Sequence, residues 1–329
     1  MKKRVVVVTG ASAGVGRAIA REFAKKGCRV ALIARGEVGL HAAAKEVIEL
    51  GGEALVLPLD VSRSDSVEEA ASKITGKWGR IDVWINNAMV SVFSPADRML
   101  PEEYRRVTEV TYLGYVYGTL AALKEMKRRD RGVIIQIGSA LALRSIPLQS
   151  AYCAAKHAVV GFTESVRTEL LHDKSRVQIC QVNLPAVNTP QFSWSKSRLP
   201  KSPQPVPPIY QPEVIAEAVY HVALHPRRRL DIAYSTVQAV MAEKVAPSLA
   251  DRYLAIWGYS SQMTDLDARS DRKDNLWTPV NEDRGARGSF DSRAHGSSPL
   301  LWMDLHRKGI AIAAAAAWLG YRVAKKKAA

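Results

Sequence analysis

Arg4-Val5-Val6-Val7-Val8, followed at once by Thr9-Gly10-Ala11-Ser12-Ala13-Gly14-Val15-Gly16, decides the reading of this 329-residue chain. Four consecutive valines suit a strand buried on both faces. Residues 17–27 then show helical spacing at Ile19, Ala20 and Phe23 and stop at a glycine. Glycines permit a tight turn and close backbone approach, and a helix N-terminus presents unpaired N–H groups. A strand, glycine turn and helix in this order therefore build a phosphate site.

A second cluster stands near the middle of the chain. Residues 132–138 are apolar and β-branched, a buried strand that ends at Ser139. Beyond a loop closed by Pro147, residues 150–171 have helical composition. Tyr152 and Lys156 are four apart there and share one helix face. A phenol ordinarily titrates near pH ~10, a nearby ammonium would lower that value, and a serine hydroxyl can hold a substrate oxygen. The group suits proton transfer to a carbonyl or from an alcohol.

Together the two clusters resemble the short-chain dehydrogenase/reductase family. Its Thr-Gly-x-x-x-Gly-x-Gly turn is matched at every fixed position, and a Tyr-x-x-x-Lys follows the serine by 13 residues. The resemblance implies an α/β fold, a doubly wound parallel sheet of Rossmann type in a single catalytic domain, and hydride exchange with a nicotinamide dinucleotide. It assigns Ser139, Tyr152 and Lys156 to catalysis. It puts Thr111 where the family usually has an Asn that helps a water chain carry protons. It gives the cofactor Gly10, Ser12, Gly14, Val15 and Gly16, and also Tyr152 and Lys156. Asp60 and Val61 follow the third strand (54–57) beside the adenine position. Asn87 and Ala88 follow the fourth (82–85), where Met89 replaces the usual Gly. Asn86 fits either a ligand contact or a bond between strands. After the sixth strand (176–182), the resemblance implies cofactor contacts at Val187 and Thr189, with the Thr on the nicotinamide, and Ala186 replaces a Gly.

The second strand (29–33) ends in Ala34-Arg35, with no carboxylate to accept bonds from a free ribose 2′-hydroxyl. A planar guanidinium pairs with phosphate, so NADP(H) is favoured over NAD(H). The departures at Thr111, Met89 and Ala186 keep a second reading open, a catalytically weak NADP-binding sensor or scaffold.

The family pattern spans residues 1–258, enough for one sizeable core. Within it a lid is expected over residues 190–212. Six of the 16 prolines fall at 199–212, which argues a semi-rigid flap rather than a helix there. Phe192, Trp194 and Tyr210 suit a hydrophobic substrate. Residues 259–308 are polar and aperiodic and read as a linker, or as an arm lying on the domain with Leu276-Trp277 as an anchor. Residues 309–329 read as an alanine-rich helix with a basic end. Its uncharged part falls short of a hydrocarbon core of about 30 Å, so it either lies on a membrane surface or docks on a partner, or anchors in a membrane with Trp318 and snorkelling basic residues extending its reach.

Net charge is +15, partly clustered at Lys127–Arg131 and Arg227–Arg229. No nucleic-acid module accompanies it, and no nucleic-acid partner is expected. Cys28, Cys153 and Cys180 form no Cys-x-x-Cys, no metal-ligand spacing is present, and a reducing cytoplasm fits. The partners expected are a small carbonyl or alcohol substrate and, by family resemblance, further copies of the chain.

Overall fold

The valine run is buried because it forms an interior strand of a sheet covered on both sides. The computed structural model describes residues 3–307 except 270, and beyond them residues 309, 318 and 321. Its main sheet contains β1 (Val5–Thr9), β2 (Arg29–Ala34), β3 (Glu53–Pro58), β4 (Val83–Asn86), β5 (Gly132–Ser139), β6 (Val177–Leu184) and β7 (Arg229–Asp231). They stand in the order β7-β6-β5-β4-β1-β2-β3, all parallel. Val6 and Val8 face a core shared with α1 (Gly14–Lys25) and α2 (Glu37–Glu49). Val5 and Val7 face the opposite core with α3 (Ser64–Trp78). Side chains alternate along a strand, so a strand with helices on both faces needs apolar residues at every position.

The opposite face also carries α4 (Pro101–Thr108), α5 (Gly114–Lys127) and α6 (Ser150–His172), and α7 (Pro212–Leu224) joins α1 on the first. The chain reverses direction across the sheet between β1 and β4, which opens a crevice at their carboxyl ends. Both motifs from the sequence end at this crevice.

Asn86 is fully buried and bonds within the protein. Its Nδ2 donates to Gln136 Oε1 (2.9 Å) and Thr119 Oγ1 (3.1 Å), and its Oδ1 accepts from Trp84 Nε1 at 2.8 Å. Of its two expected roles, this is the bond between strands.

Three local expectations change. Residues 101–128, with Pro101 at a favoured first position, read from the sequence as one helix, but it opens into a wider π turn at Glu109–Leu113, where Thr111 is tied to the β4 loop. Residues 230–234 read as a short strand, but β7 ends at Asp231 and Tyr234 starts α8 (Tyr234–Val245), followed by α9 (Pro247–Trp257). The proline-rich flap is stitched down by strand pairs: Lys201–Pro203 runs antiparallel to Met263–Asp267, and Ile209–Tyr210 lies between Ala186–Val187 and Ala294–His295.

Residues 259–307 run along the domain rather than away from it, and Leu276 is wholly buried in the core beneath α3 and α4. No helix among the described residues is long and apolar enough to cross a membrane. The helix expected over 309–329 lies outside the described residues apart from the three named above.

Candidate active site

The carboxyl end of β1 turns sharply through Gly10 and Gly14, both left-handed at φ +68° and +58°. This is a conformation glycine adopts without the Cβ penalty. Thr9 fastens the turn to β4: its hydroxyl accepts from the amides of Asn87 (2.9 Å) and Ala88 (3.0 Å), and Asn87 Nδ2 donates to the Thr9 carbonyl at 2.9 Å. Helix α1 then begins with no capping side chain. Its opening amides lie at the edge of a cavity of about 800 Å³. A helix start with no capping side chain, beside left-handed glycines, fits an anionic phosphate group.

Of the catalytic and cofactor residues assigned from the sequence, all but Gly16 and Thr111 line this cavity. Gly16 shapes the turn instead, because a Cβ there would sit 2.2 Å from the Gly10 carbonyl oxygen. Thr111 is wholly buried, and its hydroxyl accepts from the Val90 amide (3.1 Å) and donates to the Val90 carbonyl (2.9 Å). Its side chain therefore clamps the loop after β4 to the π turn.

Ser139 closes β5, and its hydroxyl accepts from the Leu141 amide at 3.1 Å. One turn apart on α6, Tyr152 and Lys156 point into the same cavity. Lys156 Nζ donates to the Ile137 carbonyl (2.7 Å) and to the Tyr115 hydroxyl (2.8 Å), and Tyr115 donates to the same carbonyl at 3.1 Å. Burial lowers the Lys156 ammonium to about 7. Burial also pushes the Tyr152 phenol above its ordinary value, with the Ser139 hydroxyl pulling the other way. In this geometry the expected depression of the phenol by Lys156 is absent. The ammonium is turned to Tyr115 and stands 5.7 Å from the centre of the Tyr152 ring.

The lysine makes a pH-dependent contribution. Its folded value near 7 lies below the ordinary 10.5, so between those two values the unfolded chain binds more protons and stability rises with pH. The thermal midpoint of Lys156→Met is therefore expected to exceed that of the native chain at and below pH ~7 and to converge on it toward pH ~10. Thermal unfolding of both proteins across that range checks this. A gap constant from pH ~7 to ~10 would mean that the buried amine does not titrate there.

Arg35 stands at the end of β2, at the cavity wall, as expected. Its guanidinium donates to three backbone carbonyls of the C-terminal arm: Trp277 (2.9 Å), Leu276 (3.4 Å) and Asn275. Asp60 also faces the cavity but is paired with Arg106 and accepts from the amide and hydroxyl of Ser62. Val187 pairs in register with Tyr210, and Thr189 stands against Gly14.

A family model described as short chain dehydrogenase matches residues 4–198. The chain belongs to the short-chain dehydrogenase/reductase family. It is an oxidoreductase of CH–OH and C=O groups. The uncharacterized oxidoreductase YxnA of Bacillus subtilis (strain 168) is 36% identical over 264 residues, covering 80% of this chain and 74% of that one. A metagenomic short-chain oxidoreductase crystallised in complex with NADP is 30% identical, covers 69% of this chain and 95% of its own, and gives a TM-score of 0.58. An alcohol dehydrogenase from the archaeon Thermococcus sibiricus, complexed with 5-hydroxy-NADP, is 31% identical, covers 70% and 94%, and gives 0.60.

This short-chain dehydrogenase/reductase has site residues that the sequence reading missed. Tyr115, one turn beyond Thr111, holds Lys156, and the helical register is the signal in the sequence that points to it. Helices α8 and α9 close the far end of the cavity with Ala242, Leu249 and Tyr253, among others. Phe192 and Trp194 reach the cavity, whereas Tyr210 packs against His295. The arm forms a wall through Asn275, Pro279 and Glu282. The loop bearing Phe192 and Trp194 is held from behind by Glu103, which accepts from Arg198 at 2.9 and 2.8 Å. Burial would raise the Glu103 carboxyl, but the bonds from Arg198, the Leu100 amide and Lys196 hold it at about 2.

Proposed function

We propose that this chain is an NADP(H)-dependent carbonyl reductase or alcohol dehydrogenase for a hydrophobic substrate. The observation that carries the reading is the single cavity in which the glycine turn, Arg35, Ser139, Tyr152 and Lys156 all meet. The nicotinamide supplies or accepts the hydride when bound. The Ser139 hydroxyl holds the substrate oxygen, and the Tyr152 hydroxyl gives it a proton in reduction or takes one in oxidation. Lys156 lines the cavity beside Tyr152, held by Tyr115 and the Ile137 carbonyl, and by family resemblance bonds the nicotinamide ribose. The opening amides of α1 would hold the pyrophosphate, and Arg35 a 2′-phosphate.

Substrate character is argued from the lining. Phe93, Ile146, Phe192, Trp194 and Leu254 present apolar surface toward Tyr152, and Leu249 and Tyr253 continue it to the outside, where they are 65% and 63% exposed. A pocket lined mostly by apolar side chains, with Gln149, Gln204 and Gln238 among them, favours a lipophilic carbonyl over a sugar or a charged acid.

Consumption of NADPH and NADH should be followed against a panel of aldehydes, ketones, steroids and acyl compounds. The expected result is turnover of apolar carbonyls with kcat/KM about tenfold or more higher for NADPH, a margin that one guanidinium–phosphate pair can supply. Equal use of NADH would overturn the cofactor assignment. Tight NADPH binding with no turnover anywhere in the panel would favour a cofactor-binding sensor instead.

A further inference from the structure

Beyond residue 198, where the family match ends, the chain returns to the cofactor groove and crosses it from end to end. Arg272 Nη2 donates to the Phe192 carbonyl (2.7 Å) and the Asn275 amide to the Trp194 carbonyl (3.0 Å), which fastens the arm to the substrate-side loop. Leu276 then plunges into the core. Its carbonyl accepts from Arg35 and from Arg106 Nε (3.0 Å), and the Arg106 guanidinium lies 6.0 Å from the centre of the Trp277 ring. Residues 277–284 form a mostly exposed bridge. Asn281 Oδ1 accepts from the Val38 amide in the first turn of α2 (3.2 Å). Asp283 accepts from the buried Arg17 of α1 (2.6 Å), and the Gly285 carbonyl accepts from the Gly14 amide (3.0 Å). Ala286 is buried again. The bridge is thus pinned at two buried points, one beside Arg35 and one beside the phosphate turn.

We propose that residues 275–285 are part of the cofactor site: a clasp that closes the outer side of the nucleotide groove and aims Arg35 at the adenosine ribose. A guanidinium has five N–H donors. Asn275, Leu276 and Trp277 accept from three of them through Nη1 and Nη2. The edge formed by Nε and the remaining Nη2 hydrogen has no partner among the described residues, and that side-on edge is a bidentate one for phosphate. Carbonyls held by a buried leucine fix the fork before any ligand arrives, so less conformational freedom is lost on binding.

The aim at a 2′-phosphate rests on the NADP(H) reading above; the closure of the groove does not. Two variants separate them. Leu276→Ala withdraws the buried pin, and Asn281→Ala removes an exposed polar contact without touching the core. Equilibrium binding of NADP+ and NAD+, and of the fragments 2′,5′-ADP and 5′-AMP, should be measured with stopped-flow release. Leu276→Ala is expected to weaken NADP+ and 2′,5′-ADP by about tenfold, and NAD+ and 5′-AMP less, as suits the loss of one oriented charge-assisted contact. Both variants should release dinucleotide faster. Unchanged release in both overturns the clasp, and so does tighter NADP+ binding in either, which would make the arm a competitor for Arg35. If the native chain binds NADP+ and NAD+ alike, the NADP(H) reading fails, and the clasp is still judged by the release rate of either dinucleotide.

Discussion

Tyr152→Phe is expected to lower kcat by about 10² to 10⁴-fold, the range that a positioned proton donor supplies, while the protein still binds the cofactor. The substitution removes one oxygen and leaves the ring in place on α6. The ring's packing beside Lys156, at 5.7 Å from Nζ to its centre, should therefore persist. What disappears is the hydroxyl proposed to protonate the substrate oxygen. Ser139 can still hold that oxygen, but its hydroxyl is the weaker acid and already accepts from the Leu141 amide. Single-turnover measurements at saturating cofactor make the comparison clean, because the loss should fall on kcat and not on cofactor affinity. A variant that retains more than about a tenth of native kcat would remove Tyr152 from the proton-transfer role.

Gly16→Ala is expected to remove detectable cofactor binding and to destabilise the fold by about 1 to 3 kcal/mol, the usual range for overpacking. The new Cβ would lie 2.2 Å from the Gly10 carbonyl oxygen and 2.6 Å from Asn87 Nδ2. The first is backbone of the phosphate turn, and the second belongs to the side chain that donates to the Thr9 carbonyl. Neither can retreat without opening the turn. Gly76→Ala in α3 is the matched control: nothing lies within 4 Å of its Cβ position. It should leave binding unchanged and raise stability by up to about 1 kcal/mol through helix propensity. Urea unfolding and dinucleotide titration of both variants test the pair. Native-like binding by Gly16→Ala would show that the turn can adjust.

The sheet and its two motifs were legible because each is written in side chains. Four valines report burial on both faces, the glycines report a turn, and the four-residue interval from Tyr152 to Lys156 reports a common helix face. The clasp was not legible, for a definite reason. Its contacts to Arg35 are made by backbone carbonyls at 275–277, which every residue carries and no side-chain pattern announces. Leu276-Trp277 stood out as an anchor, but its destination beside Arg35 depends on a path of some 240 residues between them. Tyr115 was missed for the opposite reason. It is one apolar-looking residue on a helix rich in them, and only its position across from Lys156 gives its hydroxyl a task. The absence of a carboxylate at the end of β2 singled out Arg35 in the sequence; the carbonyls that hold its guanidinium could not be read there.

The buried bond between Asn86 and Gln136 has a consequence for catalysis at a distance. The two residues are paired in register across β4 and β5, and Gln136 Nε2 also donates to Thr119 at 2.9 Å. Sliding β5 by one residue would turn Gln136 to the other face and strand several polar groups in a dry interior, at a cost of about 1 to 3 kcal/mol for each. Ser139 lies three residues further along the same strand. The amide network therefore works as a ruler: it meters how far β5 projects into the crevice, and so where the serine hydroxyl stands relative to Tyr152.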